Sequence, residues 1–304
     1  MANRDDLYRQ LAALLAEAVR LTHQLAHPAP STDAEESAAR SAAPPSSNPP
    51  ADGAHAGAEA LVGRLEAAGL RVKAVVAGGR IDPELAKLAR LIADKYPNLV
   101  PLIDAIKRAQ STREMIHMDL KPYPAQQIAD ITLLVDLAHK AELLPAFKYR
   151  KSPVRELYCA PPVDPRAISF FTGEWLEIYA ETALASCQHL AAAPILHLRR
   201  IQVTLPEGDD FELDLVALVN DRLLWIEAKT TNGFARRLPT LRRTSTHLCD
   251  QPEDAILLCA HKEALRFADA LAVQARMALC TPDSLADHLR GRIRRAPDPI
   301  PSPA

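Results

Sequence analysis

Apolar positions at the start of the chain recur at steps of four, three, four, three and four: Leu7, Leu11, Leu14, Ala18, Leu21 and Leu25. That is the a/d seam of a short coiled coil, with Arg9, Glu17 and Arg20 off it and Pro28 closing it after His27. So short a seam fits an amphipathic helix lying on its own domain as well as a dimerising zipper. From Pro28 to Gly57 there is no Ile, Leu, Val, Met, Phe, Trp or Tyr, so 28–57 is predicted to be a disordered Ala/Ser/Pro linker. Helical spacing returns over 58–124 in LVGRLEAAGL, PELAKLARLIADKY and VPLIDAIKRAQ, with Asp82-Pro83 and Asn98 as helix starts. A short apolar run, Val72–Ala77, ends at Gly78-Gly79 within this helical middle domain. In 125–164 the face Ile128, Ile131, Leu134, Leu137 and Ala138 predicts one more helix. Two short runs, Phe147–Lys151 and Arg155–Ala160, flank Ser152-Pro153 as a hairpin or wing.

After Pro165 the pattern changes to extended runs between helices. FFTGEWLEIYAETALASCQHL is helical, and PILHLRRIQVTL, FELDLVALV and RLLWIEAKT read as strands. The turns between them fall at Glu207-Gly208-Asp209 and Asn220-Asp221. A helix near 234–248, a strand at Ala255–Ala260, a helix at 262–272, a strand near 274–280 and a helix from Pro282 complete the series. The order α-β-β-β-α-β predicts an α/β domain on a mixed sheet over 165–293, with 294–304 as a disordered tail.

Composition narrows the classes. Lys+Arg is 36 against 38 Asp+Glu, a formal net charge of -2, so binding to nucleic acid needs a local patch rather than a whole-protein field. No apolar run approaches a membrane span and the opening MANRDD is not a signal peptide, which points to a cytoplasmic protein with no membrane partner. The five cysteines, Cys159, Cys187, Cys249, Cys259 and Cys280, are widely spaced and read as buried apolar side chains. His189, His247 and His261 share no metal-ligand spacing, and Trp175 and Trp225 lie on apolar faces as core.

Chemistry enters where FELDLVALV and RLLWIEAKT break their own pattern. Both are apolar on both faces near the turn, as in strands covered on each side, yet Asp214, Glu227 and Lys229 interrupt them. A two-residue loop at 220–221 sets Val219 opposite Arg222 and hence Asp214 opposite Glu227. Two opposed carboxylates inside a sheet are tolerable when one holds a proton or a cation lies between them, and an oxygen pair suits Mg²⁺ or Mn²⁺. Asp214, Glu227 and the Ala228 carbonyl are the expected ligands, with Lys229 holding or deprotonating the attacking water. The same register puts Glu212 opposite Lys229 as a structural ion pair. On the preceding helix Glu177 lies nearest the apolar boundary and is the third candidate carboxylate, while Glu174 and Glu181 are expected to face solvent. Arg236, Arg237, Arg242 and Arg243 follow with no acid until Asp250, which reads either as a nucleic-acid-binding patch, extended by His197, Arg199 and Arg200, or as a solvated helix face.

The order Glu177, Asp214, Glu227-Ala228-Lys229 resembles the PD-(D/E)XK nuclease superfamily. FFTGEWLEIYA followed by ELDLVALVNDRLLWIEAKT is similar to the endonuclease domain of CRISPR ancillary nucleases of the Card/Can type, with Glu174 and Ala228 departing from its G-G-W-L-E and E-C-K patterns. The likeness covers about 125–293 and implies a restriction-endonuclease-like fold and a winged-helix-like segment at 125–164. It also implies a homodimer and a metal-dependent endonuclease acting on DNA or RNA in a defence context. That family's N-terminal domain senses cyclic tetra-adenylate, whereas residues 1–120 here read as helix, linker and helices, so no such sensor is expected. The rival from another class is a catalytically inactive nucleic-acid-binding or scaffold protein whose working part is the coiled coil.

Overall fold

A computed structural model describes residues 52–77, 81–231 and 236–294. The expected coiled-coil helix at 1–27, most of the linker and nearly all of the tail lie outside the described residues.

The chain enters through helix α1 (Asp52–Ala67), turns at Gly69 and forms strand β1 (Arg71–Ala77). Helix α2 (Pro83–Thr112) follows, capped by the Asp82 side chain, which accepts from the Glu84 N–H. The sequence predicts two helices here, divided at Asn98, but the structure has one, with Pro97 and Pro101 inside it. Its buried stripe explains the difference. Leu85, Leu88, Ala89, Ile92, Ala93, Tyr96, Leu99, Leu102, Ile103 and Ile106 run past both prolines at helical spacing, and this packing outweighs the hydrogen bonds the prolines remove. Asn98 does not cap; its side-chain amide donates to Asp130 at 2.7 Å on helix α3 (Ala125–Lys140).

A small antiparallel sheet in the order β2-β4-β3 joins strand β2 (Ile116–Asp119) to the expected hairpin, β3 (Phe147–Arg150) and β4 (Glu156–Cys159). It packs with α2 and α3. Helix α4 (Pro165–Ser169) then runs through a π-helical turn at Phe170–Glu174 into helix α5 (Trp175–Ser186).

The main sheet has six strands in the order β1-β5-β6-β7-β8-β9, namely β5 (Leu196–Thr204), β6 (Asp210–Val219), β7 (Arg222–Lys229), β8 (Ala255–Cys259) and β9 (Ala278–Cys280). Strands β1, β5, β6 and β7 pair antiparallel, while β7-β8 and β8-β9 are parallel, so the sheet is mixed as expected. The run Val72–Ala77, expected within a helical middle domain, instead contributes the edge strand beside β5. Helices α6 (Leu238–Leu248), α7 (Ala268–Ala275) and α8 (Pro282–Arg294) complete the fold.

Alternation along β6 and β7 assigns the two faces. Leu215, Ala217, Leu224 and Ile226 pack with the cores of α2, α3, α5 and α8. Val216, Leu223 and Trp225 pack with the cores of α1, α6 and α7. Both tryptophans and all five cysteines are buried, the latter as free thiols, and burial pushes Cys159 and Cys259 up to about 12. No described helix is long and apolar enough to cross a membrane.

Candidate active site

The hairpin that creates the site forms as its sequence dictates. Asn220 and Asp221 both take positive φ, 48° and 65°, the pair of left-handed residues that a two-residue turn needs. From there the register runs Val219↔Arg222, Leu218↔Leu223, Ala217↔Leu224, Val216↔Trp225 and Leu215↔Ile226. One step further the regular ladder stops. The Ala228 N–H donates at 2.8 Å not to a main-chain carbonyl but to Asp214 Oδ2. This diversion brings the three chemistry-bearing groups together. Lys229 Nζ lies 2.6 Å from Glu227 Oε1 and 3.4 Å from Asp214 Oδ2.

The setting is almost dry: Asp214 is 2% exposed and Glu227 1%. Burial, and next the neighbouring Asp214 charge, raise the Glu227 carboxyl to about 7, against the opposing pull of Lys229 and Arg237. Glu227 Oε2 is buried and accepts no hydrogen bond from any described group. Two carboxylates against one lysine, with one carboxylate oxygen unsatisfied, is a donor set that a hard divalent ion would complete, since such an ion needs one or two carboxylates and keeps water on its other positions. Among the described residues no three His, Cys, Asp or Glu side chains stand together as a ready metal cage. The fit therefore rests on Asp214 and Glu227.

Glu177 is buried, at 3% exposure, in the first turn of α5, the helix that packs against β6 and β7. Its neighbours on that helix correct the sequence reading. Glu181 and Glu174 do not face solvent: Glu181 is 5% exposed, meets His197 Nε2 at 2.8 Å and pairs with Arg199, while Glu174 Oε1 lies 3.9 Å from both Arg199 and Arg200. The glutamate stripe that looks like a polar face is matched by basic residues of β5, so α5 is buried on both sides. By the same contacts His197, Arg199 and Arg200 do not extend an exposed basic patch; Arg199 and Arg200 have side chains only 12% and 7% exposed.

Glu212 is not paired with Lys229. It stands across from Gln202 on β5, 3.8 Å from Arg200, because β6 leaves the β7 ladder at Asp214 and the hairpin register extends no further. Of the arginine cluster, Arg236, Arg237 and Arg242 are exposed, and Arg237, at the start of α6, is near enough to lower the Glu227 carboxyl. Arg243 is half-buried and pairs with Asp209 at 2.9 Å.

Sequence reasoning missed a polar group at the end of β7. Lys107 Nζ donates to Thr230 Oγ1 at 3.3 Å, and His261 Nε2 lies 3.0 Å from the Thr230 carbonyl and 3.3 Å from Tyr96 Oη. Tyr96 in turn stacks on Trp175, and burial raises its hydroxyl. Its signal was faint: a polar residue at a strand end beside two helices.

Comparison with known proteins gives fold but not family. Neither protein-family models nor curated proteins match the chain. Among solved structures it is similar to Can2 from Sulfobacillus thermosulfidooxidans, determined in complex with cyclic tetra-adenylate. The TM-score is 0.51 and the identity 16%, over 76% of this chain and 60% of that one. The fold is Can2-like. Protein VC1899 from Vibrio cholerae also matches, with a TM-score of 0.49 and 20% identity over the same shares of 76% and 60%. The chain thus spans about three-fifths of the length of these structures. The likeness to Can2 agrees with the α/β domain on a mixed sheet expected from the residues.

Proposed function

We propose that the protein is a metal-dependent nuclease that hydrolyses phosphodiester bonds of DNA or RNA, in a CRISPR-associated or other defence setting. The observation that carries this reading is the meeting of Asp214, Glu227 and Lys229 at one buried point where β6 and β7 diverge. The Can2-like fold and the sequence resemblance to CRISPR ancillary nucleases of the Can type support it.

In this reading Asp214 and Glu227 would hold Mg²⁺ or Mn²⁺, with the Ala228 carbonyl and Glu177 as further direct or water-mediated ligands, and the ion would supply Lewis acidity. Asp214 is held in place by the Ala228 N–H, so one acceptor is oriented before any ion arrives. Lys229 would orient the attacking water, and its ammonium would steady the phosphate charge, with the water's proton passing to solvent. Exclusion of bulk water by the surrounding core strengthens each of these contacts. Arg236, Arg237 and Arg242, exposed at the start of α6 and along it, with Arg237 within electrostatic reach of Glu227, would bind the polyanionic backbone and steer it toward the carboxylates. Two copies of the chain acting as a homodimer complete the proposal.

A second reading has one observation in its favour. Lys229 touches both carboxylates, as it would in a closed structural ion triad of an inactive binding protein. Cleavage of single-stranded DNA, double-stranded DNA and RNA with Mg²⁺ or Mn²⁺ separates the two. The expected result is metal-dependent cleavage that Asp214→Ala and Glu227→Ala each abolish; a parent protein that binds nucleic acid and cuts none of the three favours the binding module.

A further inference from the structure

Arg200 sits in the middle of β5 with φ of 53°, a left-handed backbone that any residue with a Cβ avoids and that a strand interior rarely holds. Its consequences can be read on three sides. In a regular strand neighbouring side chains point to opposite faces, yet Arg199 and Arg200 each bring a guanidinium nitrogen to 3.9 Å from the same Glu174 oxygen. Regular alternation would also put Leu198 and Ile201 on opposite faces, yet both lie in the core with α1, α6 and α7, as do their partners Val216 and Leu213 on β6. Finally, the β5-β6 rungs run Leu198↔Val216, Arg199↔Leu215, then Ile201↔Leu213 and Gln202↔Glu212; the position skipped is Arg200 opposite Asp214. Both strands therefore change phase at one step, and the β6 residue at that step is the candidate ligand.

We propose that Arg200 is a positioning residue for the metal-binding carboxylates. Its left-handed backbone removes the β5-β6 rung at Asp214, and the carboxylate is then able to turn to the Ala228 N–H and stand beside Glu227. Its guanidinium holds that conformation by lying between Glu174, at the entry to the helix that carries Glu177, and Glu212, two residues before Asp214 on the same strand. One buried arginine thus ties the two elements that bring acids to the site. The inference rests on the nuclease reading of Asp214 and Glu227, and it goes beyond that reading by giving a role to a residue that touches no reacting atom.

Alanine and glycine separate this role from simple packing, because both lose the guanidinium and only glycine accepts a positive φ without strain. Mn²⁺ alone, titrated calorimetrically into the full chain, is the probe. Arg200→Gly is expected to keep the parent's Mn²⁺ affinity within about threefold, whereas Arg200→Ala relaxes toward regular strand and loses about tenfold. Metal-free thermal midpoints should follow the same order, with Arg200→Gly melting above Arg200→Ala, the reverse of what an ordinary strand position shows. If Arg200→Ala does not fold, Glu212→Gln serves in its place, with an expected loss of about threefold in Mn²⁺ affinity from loosening the same guanidinium. A parent that binds Mn²⁺ and cuts nucleic acid, with Arg200→Ala binding as tightly as Arg200→Gly or Glu212→Gln binding as tightly as the parent, overturns this inference alone. A parent that neither binds nor cuts overturns the nuclease reading and takes the inference with it.

Discussion

The β6-β7 hairpin carries buried charge at both of its ends, and the two clusters are built on opposite principles. Beside the turn, Asp254 is 3% exposed and stands between two arginines: Arg292 Nε donates to its Oδ1 at 2.8 Å and Arg222 lies 3.7 Å from its Oδ2. Arg222 also donates to the Arg292 carbonyl at 2.8 Å, and the Asn220 amide donates to the Ile293 carbonyl at 2.9 Å. That end pins the last helix to the sheet. At the other end two carboxylates share a single lysine, and a Glu227 oxygen is buried without a described hydrogen-bond donor. A sheet tolerates buried ions that are paired and hydrogen-bonded. In charge the turn cluster sets two guanidinium groups against Asp254, whereas at the open end, among the described residues, two carboxylates face the Lys229 ammonium, a balance that a proton or an added cation would complete. The difference is what the proposed function assigns to structure at one end and to chemistry at the other.

The largest effect expected from this contrast is on activity. Asp214→Ala, Glu227→Ala and Lys229→Ala should each lower cleavage by at least about 10³-fold, with the metal-free thermal midpoint unchanged or higher for the two carboxylate variants and lower for Lys229→Ala, which takes the ammonium away from both buried acids. Cleavage assays paired with thermal melts check this, and a variant that loses activity only by unfolding would erase the distinction between the two ends. The turn cluster should behave in the opposite way. Arg292→Met strips Asp254 of its closest partner and is expected to cost about 3–5 kcal/mol of stability, measured by denaturant unfolding, while the fraction that remains folded retains normal metal affinity.

Acidity sharpens the comparison at smaller scale. The Glu227 carboxyl loses its proton near 7 in the fold against 4.5 for the ordinary side chain. The folded form therefore holds the extra proton over this window, and metal-free stability should fall as pH rises from 4.5 toward 7. Glu227→Gln or saturating Mg²⁺ should flatten the fall in thermal midpoint; an identical slope in the variant would mean that another group is responsible. Smallest is the contribution of the exposed arginines. Charge reversal at Arg236 and Arg237 together should lower the slope of log affinity against log salt by about 2, and an unchanged slope would remove this helix from the nucleic-acid surface.

Local rules made the hairpin legible. Asn220-Asp221 supplies the left-handed pair, the turn fixes the register, and the register leads to Asp214 and Glu227. The same rule misled at Glu212, because it assumes an unbroken ladder and the Asp214 side chain ends the ladder by taking the Ala228 N–H. Prolines misled in a similar way in α2: local chemistry says stop at Pro97, and a stripe of buried side chains on both sides of it says continue. Partners distant in sequence were beyond a residue-by-residue reading. Nothing in Val72–Ala77 names β5 as its neighbour, and nothing in three glutamates at helical spacing reveals a basic strand facing them. The Arg199-Arg200 pair within an apolar strand was a visible irregularity, of the same kind as Asp214, and its meaning depended on a backbone angle that sequence does not carry.

The claim on which these expectations turn is that Asp214 and Glu227 grip one divalent ion. A crystal soaked in Mn²⁺ and measured at the manganese absorption edge addresses it directly. The expected result is a single anomalous peak within coordinating distance of both carboxylates, with Lys229 Nζ displaced from Glu227. Bound Mn²⁺ elsewhere, or no peak with Lys229 still seated on both acids, would contradict it.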